Sequence, residues 1–270
     1  MYRCPLCREI LSQQNNAWRC ANAHQFDIAR EGYVNLLPVQ QKKSLDPGDN
    51  AEMIQARRAF LDAGHYRFLS DAISQQLSTL LHSGDRLLDI GCGEGYYTSA
   101  LAAAAAGIQV QGLDISKAAV RAAAKRYKHI SWCVASSYAL PFATGQFAAL
   151  LRIYAPSEPA EMSRVLRSGG YLLAVSPAPE HLLQFKQLAY ETVRLHPDSI
   201  KTEAGFTHLS RQRLQAQWQA PDAASMLQLI DMIPLAYKLT APMRTALCQQ
   251  LPLITLDFYL DLYQKSPESV

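Results

Sequence analysis

The chain has 270 residues, long enough for one large domain or two modest ones and for a sizeable buried core. Hydrophobic residues make up 49% and charged residues 18%, which excludes a disordered or fibrous chain. The net charge of +3 is too small to argue for or against a nucleic-acid partner. The longest apolar run, Ala100–Ile108, covers nine residues against the about 20 that span a bilayer. Met1-Tyr2-Arg3-Cys4 opens no apolar signal segment. The expected location is the cytoplasm, where six cysteines read as thiols or metal ligands rather than disulfides.

In chain order, residues 1–36 read as a small module of turns and short strands, and Pro38–Asp49 as a linker or flap. Asn50 can cap a helix from Ala51 to about Ala63, with Met53, Ala56, Phe60 and Ala63 on one face and Gly64 as its stop. Phe68–Leu81 repeats the pattern with Leu69, Ile73, Leu77 and Leu80. From Arg86 onward, strands alternate with helices. Strands are expected at Arg86–Ile90, Gln109–Ile115, Ile130–Ala135, Phe147–Tyr154 and Tyr171–Ser176. Helices are expected at Tyr97–Ala106, Lys117–Tyr127, Pro159–Leu166 and Glu180–Val193. This alternation predicts an α/β fold with a doubly wound, mostly parallel sheet. Leu253–Tyr263 reads as a further strand, and Gln212–Trp218 as a weaker candidate.

Two constellations carry chemistry. Cys4-x2-Cys7-x12-Cys20-x3-His24 has the spacing of a tetrahedral Cys3His zinc site, and a module this small needs the metal to fold. Four protein ligands would fill the coordination sphere, so one structural Zn2+ is expected. The competing reading, a redox Cys-x-x-Cys, lacks its usual strand context. Cys92, Cys133 and Cys248 read as buried thiols. The second constellation is Asp89-Ile90-Gly91-Cys92-Gly93-Glu94-Gly95, between the first strand of the series and the next helix. Glycines there let backbone turn sharply and approach a ligand. The spacing is not that of a dinucleotide fingerprint, and the Gly-Lys-Ser/Thr of a Walker loop is absent. Asp114 ends the second strand, placed to accept from ribose hydroxyls, unless it is an ordinary strand-end residue.

The glycine loop resembles motif I of class I S-adenosylmethionine-dependent methyltransferases. Ala135–Phe142 is similar to their adenine-side loop, with Ser136 and Ser137 where many relatives carry an acid. Arg167-Ser168-Gly169-Gly170-Tyr171 resembles the turn before their fifth strand. This likeness covers about residues 84–193 and implies a seven-stranded sheet. Three further segments narrow it: Glu31–Leu37, Arg57–Tyr66 and Arg152-Ile153-Tyr154-Ala155-Pro156. With the Cys3His group they resemble the bacterial 23S rRNA (guanine-N1)-methyltransferases of the RlmA type. The resemblance implies a zinc-binding, RNA-recognising module at 1–36, a linker with helices at 37–83 and a methyltransferase domain at 84–270. It also implies methyl transfer from S-adenosylmethionine to N1 of a guanine in a hairpin loop of 23S rRNA. Zinc then falls to Cys4, Cys7, Cys20 and His24. The cofactor falls to Tyr66, Asp89, Gly91, Gly93, Glu94, Gly95, Tyr96, Asp114 and His181. Tyr66 and His181 rest on the resemblance alone, and no motif is recognisable after residue 195.

Guanine N1 lies on the Watson–Crick edge and carries a proton, so the target must be unpaired and a base would help. His181, Glu94 and Asp49 are candidates by residue type only, and the catalytic residues stay open. Tyr154 and Phe142 could stack on an extruded base, or pack at the end of the sheet. Lys42 and Lys43 are expected to grip the RNA backbone, and the cluster Arg121, Lys125, Arg126, Lys128 reads as solvated surface. Removing zinc is expected to spare cofactor binding, the two sites lying on separate modules. Expected partners are the rRNA hairpin and S-adenosylmethionine, without a membrane; oligomeric state stays open, with a homodimer among the options. Alternatives are a methyltransferase for a small molecule or another RNA, with zinc purely structural, and a non-catalytic nucleic-acid binder. The intact glycine loop and Asp114 speak against the last.

Overall fold

A computed structural model describes residues 1–41 and 51–267. Lys42, Lys43, Asp49 and the expected cap Asn50 lie outside these residues. The chain opens with three short antiparallel strands, β1 (Ser12–Gln14), β2 (Ala17–Arg19) and β3 (Gln25–Asp27). Trp18 on the middle strand stands opposite Gln13 and Phe26. The next strand, β4 (Val34–Asn35), leaves this ribbon and pairs in parallel with a strand of the main sheet.

Two helices follow, α1 (Ala51–Asp62) and α2 (Arg67–Ser78). Gly64, at φ +82°, turns the chain between them, a conformation that side chains with a Cβ rarely adopt. The alternating series is β5 (Arg86–Ile90), α3 (Tyr96–Ala104), β6 (Gln109–Asp114), α4 (Lys117–Arg126), β7 (Ser131–Val134), β8 (Phe147–Ile153), α5 (Pro159–Val165) and β9 (Leu166–Pro177). Then come α6 (Leu183–Ala189), β10 (Phe206–Gln219), α7 (Ala223–Met232), a 3-10 turn at Pro234–Lys238, α8 (Ala241–Gln250) and β11 (Leu253–Lys265).

The main sheet has the order β10-β11-β9-β8-β5-β6-β7-β4. It is parallel from β9 to β4, with β11 and β10 antiparallel at the other edge. Seven strands match the expected class I sheet. The eighth is β4, supplied by the N-terminal segment, which no pattern in so short a strand could announce. Strand order reverses at β5, whose neighbours are β6 and β8, so a crevice opens at its carboxyl end, where open α/β sheets bind ligands.

Alternate strand residues face opposite layers. Leu87, Leu151 and Leu173 join Phe60, Leu69, Ile73, Leu77, Leu229 and Ile230 of α1, α2 and α7. Leu88, Leu150 and Leu172 join Tyr2, Leu11, Leu36, Phe142 and Phe147. The ribbon is thus part of the core under the sheet. Tyr2 packs edge-on to Trp18 at 4.9 Å and against Phe142 at 5.5 Å, and Arg3 N donates to Pro141 O at 2.8 Å. Trp132 of β7 fills the space between the sheet and the glycine loop. A Cβ built on Gly95 would lie 2.4 Å from its ring, and one on Gly112 2.2 Å.

Three expectations shift. The expected turn Arg167–Tyr171 lies inside β9, where the register to β8 slips between Phe147 and Ala149 and Gly169 takes φ +70°. The helix expected over Glu180–Val193 is only Leu183–Ala189, because Leu182 sits at φ +55° before it and Tyr190 turns extended after it. β10 runs 14 residues, well beyond Gln212–Trp218. Its two arginines are held by carboxylates of β11: Arg213 donates to Asp257 at 2.7 and 2.9 Å, and Arg211 to Asp261 at 2.8 and 2.9 Å.

Candidate active site and metal centre

The glycine loop follows β5. Gly91, Gly93 and Gly95 take φ +76°, +54° and +82°. A Cβ on Gly91 would stand 2.4 Å from that of Ala155, so the loop after β8 closes on it only because residue 91 has no side chain. Asp114 locks the loop: its Oδ2 accepts from Gly93 N at 2.9 Å and its Oδ1 from Ser116 N at 2.8 Å. Beneath the loop, Asp89 is 2% exposed and accepts from Thr98 Oγ1 at 2.6 Å. Burial pushes its carboxyl up to about 7, against the pull of the Thr98 hydroxyl.

Tyr66, Asp89, Gly91, Gly93, Glu94, Tyr96, Asp114 and His181 all line one cavity of about 1120 Å³. Gly95 does not; it starts α3 in the left-handed conformation and packs on Trp132. Tyr66 stands edge-on to Phe60 at 5.0 Å and Phe258 at 5.2 Å, and burial holds its hydroxyl far above the ordinary range. His181 lies 4.6 Å from the Phe258 ring. Its Nδ1 accepts from Asp257 N at 3.2 Å, so the neutral ring carries its proton on Nε2. Burial, then His196 and Lys186, push its pKa down to about 3. With Nδ1 taken up by the Asp257 N–H, the neutral ring has no lone pair left with which to take a proton. Glu94 lines the cavity, while Asp49 lies outside the described residues.

The far wall was not legible in sequence. It comes from the end of β8, from α6 and the segment after it, and from the turn after α7: Tyr154, Lys186, Tyr190, Arg194, His196 and Tyr237. Tyr154 takes φ +55° and is 47% exposed. Such strain in a non-glycine residue is a recurrent mark of functional sites. Of the two aromatics expected to stack on a base, only Tyr154 reaches the cavity. Phe142 is fully buried, edge-on to Phe147 at 4.9 Å, because Tyr2 of the N-terminal segment covers it. Ser137 lines the cavity and donates to Pro156 O at 2.7 Å, joining the expected adenine-side loop to that of Tyr154. Arg121 and Arg126 pair with Glu31 and Asp62, as surface charges do.

In the ribbon, one ligand atom each of Cys4, Cys7, Cys20 and His24 lies within 4.8 Å of the others. Cys7 Sγ and Cys20 Sγ are 3.6 Å apart, and His24 Nδ1 lies 3.5 Å from both Cys4 Sγ and Cys20 Sγ. Zinc at about 2.3 Å from sulfur and about 2.0 Å from nitrogen gives tetrahedron edges of about 3.5–3.8 Å, so the donor set fits one ion. All six cysteines are free thiols.

The family model of the RlmA N-terminal zinc ribbon matches residues 2–45, and a methyltransferase-domain model matches 87–170. The 23S rRNA (guanine(748)-N(1))-methyltransferase of Streptomyces fradiae is 32% identical over 276 residues, covering 93% of this chain and 97% of that protein. This chain belongs to the 23S rRNA (guanine-N1)-methyltransferase family. YxjB of Bacillus subtilis, provisionally named as a member, is 33% identical and covers 88% of this chain and 87% of its own. A solved methyltransferase-fold structure from Bacillus halodurans, provisionally assigned, shares the fold at TM-score 0.51, 16% identity, 73% of this chain and 98% of its own. This family member is thus an S-adenosylmethionine-dependent methyltransferase with a zinc ribbon. Among its described residues no helix is long and apolar enough to cross a membrane.

Proposed function

We propose that this protein methylates N1 of a guanine in an unpaired loop of 23S rRNA in the cytoplasm. The observation that carries the reading is the single cavity joining the glycine loop to the Tyr154 wall. One end suits a nucleoside cofactor and the other an extruded base. S-adenosylmethionine, when bound, supplies the methyl group on a sulfonium. Asp114 would accept from its ribose hydroxyls while fixing the loop. Gly91, Gly93, Glu94 and Tyr96 would hold its amino-acid half and Tyr66, Asp89 and His181 would complete the pocket, while Gly95 keeps the loop closed over Trp132. Tyr154 supplies a ring face on which an unstacked base can lie. The chain's work is to hold donor and acceptor in line and to exclude water, the main source of rate in such displacements. Cys4, Cys7, Cys20 and His24 hold one structural zinc, and the ribbon they stabilise offers the RNA-recognising surface.

The test is methyl transfer from labelled S-adenosylmethionine to transcripts of 23S rRNA hairpins, followed by primer extension. N1-methylguanine blocks the Watson–Crick edge and stops the polymerase, so a stop at one loop guanine is the expected result. Label incorporated without a stop places the methyl elsewhere. Transfer to small molecules but to no hairpin overturns the reading.

A further inference from the structure

The cavity is polarised. Its carboxylates, Asp89, Glu94 and Asp114, come from the ends of β5 and β6 and the loop between them. Lys186 and Arg194 come from α6 and the segment after it, beside His181 and His196. A third cation, Arg57 of α1, donates to Met232 O at 3.3 Å. The acidic wall suits a cofactor with an ammonium, a sulfonium and ribose hydroxyls. The basic wall asks for a ligand that gathers negative charge.

Within that wall Lys186 is singular. Its Nζ is buried and has no hydrogen-bond partner among the described residues. An ammonium withdrawn from water without an acceptor is costly, and buried polar groups nearly always find partners. Burial draws its pKa below the usual lysine value. Its charge acts on His181 and His196, and the carboxylates that line the cavity, Asp89, Glu94 and Asp114, all come from the opposite wall. The carboxylate on that side, Asp257, is taken by Arg213 and by the Glu180 N–H at 3.0 Å. Lys186 lines the cavity, so a rotation of its side chain can bring the amine to an acceptor on what enters there.

Resting on the function proposed above, we infer that Lys186 swings onto O6 of the target guanine and stabilises the negative charge that O6 carries when N1 loses its proton. The N1–CH3 bond then forms as the S–CH3 bond breaks. The sulfur keeps the bonding pair, the N1 proton passes to water, and Lys186 stays protonated throughout. A donor facing position 6 also selects guanine, whose O6 accepts, over adenine, whose amino group does not.

The test compares wild type with Lys186→Met and Lys186→Arg, using the hairpin that wild type methylates. For Lys186→Met, kcat near pH 7 falls by about 10²–10³-fold, as for removal of one donor to a developing oxyanion. The affinity for S-adenosylmethionine stays within threefold. Between the pH at which N1 ionises on wild type and that at which it ionises in free RNA, wild type levels off while the variant still gains about tenfold per pH unit, so the deficit shrinks there, and Lys186→Arg recovers part of the loss. A second readout needs no turnover. With 6-thioguanine at the target and S-adenosylhomocysteine bound, near-ultraviolet absorbance reports N1 ionisation. Wild type lowers that ionisation by at least about one pH unit, and Lys186→Met leaves it where free RNA has it. A kcat within threefold of wild type, or a loss that ignores pH, overturns the inference. So does a tenfold loss of cofactor affinity, which would assign Lys186 to the methionyl carboxylate. Wild type that methylates no hairpin fails the functional reading itself and this inference with it. Active wild type with an unaffected variant fails the inference alone.

Discussion

Stripping the zinc should weaken the whole molecule. Tyr2, Leu11, Val34 and Leu36 are 5%, 1%, 2% and 2% exposed and belong to the same apolar layer as Leu88, Ile90 and Phe142 of the methyltransferase sheet. Burying a large apolar side chain contributes about 1.5–3 kcal/mol, so these four contribute on the order of 10 kcal/mol before any chain entropy is counted. That rivals the roughly 5–15 kcal/mol net stability of an ordinary domain. A ribbon that unfolds without its ion also releases β4 from β7, the strand beside the one that ends in Asp114. Titration with a strong chelator at neutral pH should therefore lower a single calorimetric transition by more than about 10 °C, taking about 2–4 °C per kcal/mol. It should also weaken S-adenosylmethionine binding in a parallel isothermal titration. The expectation of a spared cofactor site assumed separate modules, and the shared apolar layer removes that assumption. Two transitions, the larger unmoved by chelation and the cofactor affinity unchanged within twofold, would refute the coupling.

Asp114→Ala should cost stability as well as cofactor affinity, because Gly93 N and Ser116 N both lose their acceptor. About 1.5–3 kcal/mol is expected from denaturant midpoints, with Asp114→Asn intermediate; an unchanged midpoint would mean that the loop holds its shape without the carboxylate. Asp89, with a folded pKa of about 7 against about 3.9 unfolded, binds its proton more tightly in the native state. Its contribution is thus full below about pH 4 and is lost as pH rises toward 7. Asp89→Asn should flatten that fall in urea midpoints taken between pH 4 and 8. Tyr154→Ala keeps the strained φ and Tyr154→Gly relieves it, so the glycine variant should be the more stable by roughly 1 kcal/mol. Both should lose methyl transfer, while Tyr154→Phe retains it; equal stability of the two small variants would deny the strain.

What the sequence shows and hides follows from the range of the forces involved. The alternation from β5 to β8, the Cys3His spacing and the glycine loop are local patterns, and each is where the spacing puts it; on the two helices Phe60, Leu69, Ile73 and Leu77 are buried as spaced, while Ala63 and Leu80 fall in the turns after Asp62 and Ser78. Tyr66 and His181 have no local signature, yet both reach the cavity, Tyr66 through its packing on Phe60 and Phe258, His181 through the Asp257 N–H. Phe142 has the pattern of a loop aromatic free to stack on a base, and it is buried because Tyr2, some 140 residues away in the chain, lands on it. β10 hides for a related reason. Arg211 and Arg213 look like solvated surface until Asp261 and Asp257 are placed opposite them. Lys186 falls on a short helix whose pattern suggests a longer one, and only the folded chain shows its amine shut away from water.

Trp132 gives two glycines different histories. Gly95 needs its left-handed backbone whatever surrounds it, so no neighbour could release it. Gly112 has an ordinary strand conformation, and only the Trp132 ring, with Cys92 Sγ 3.0 Å from where a Cβ would sit, forbids a side chain there. Positions 112 and 132 therefore share one volume divided between two strands. A lineage that shrank the tryptophan could enlarge the glycine in the next step and keep the crevice intact. The reverse order would pass through an ancestor whose β6 and β7 no longer fit together. Descendants should accordingly carry either the glycine with the large ring or a larger residue at 112 with a smaller one at 132.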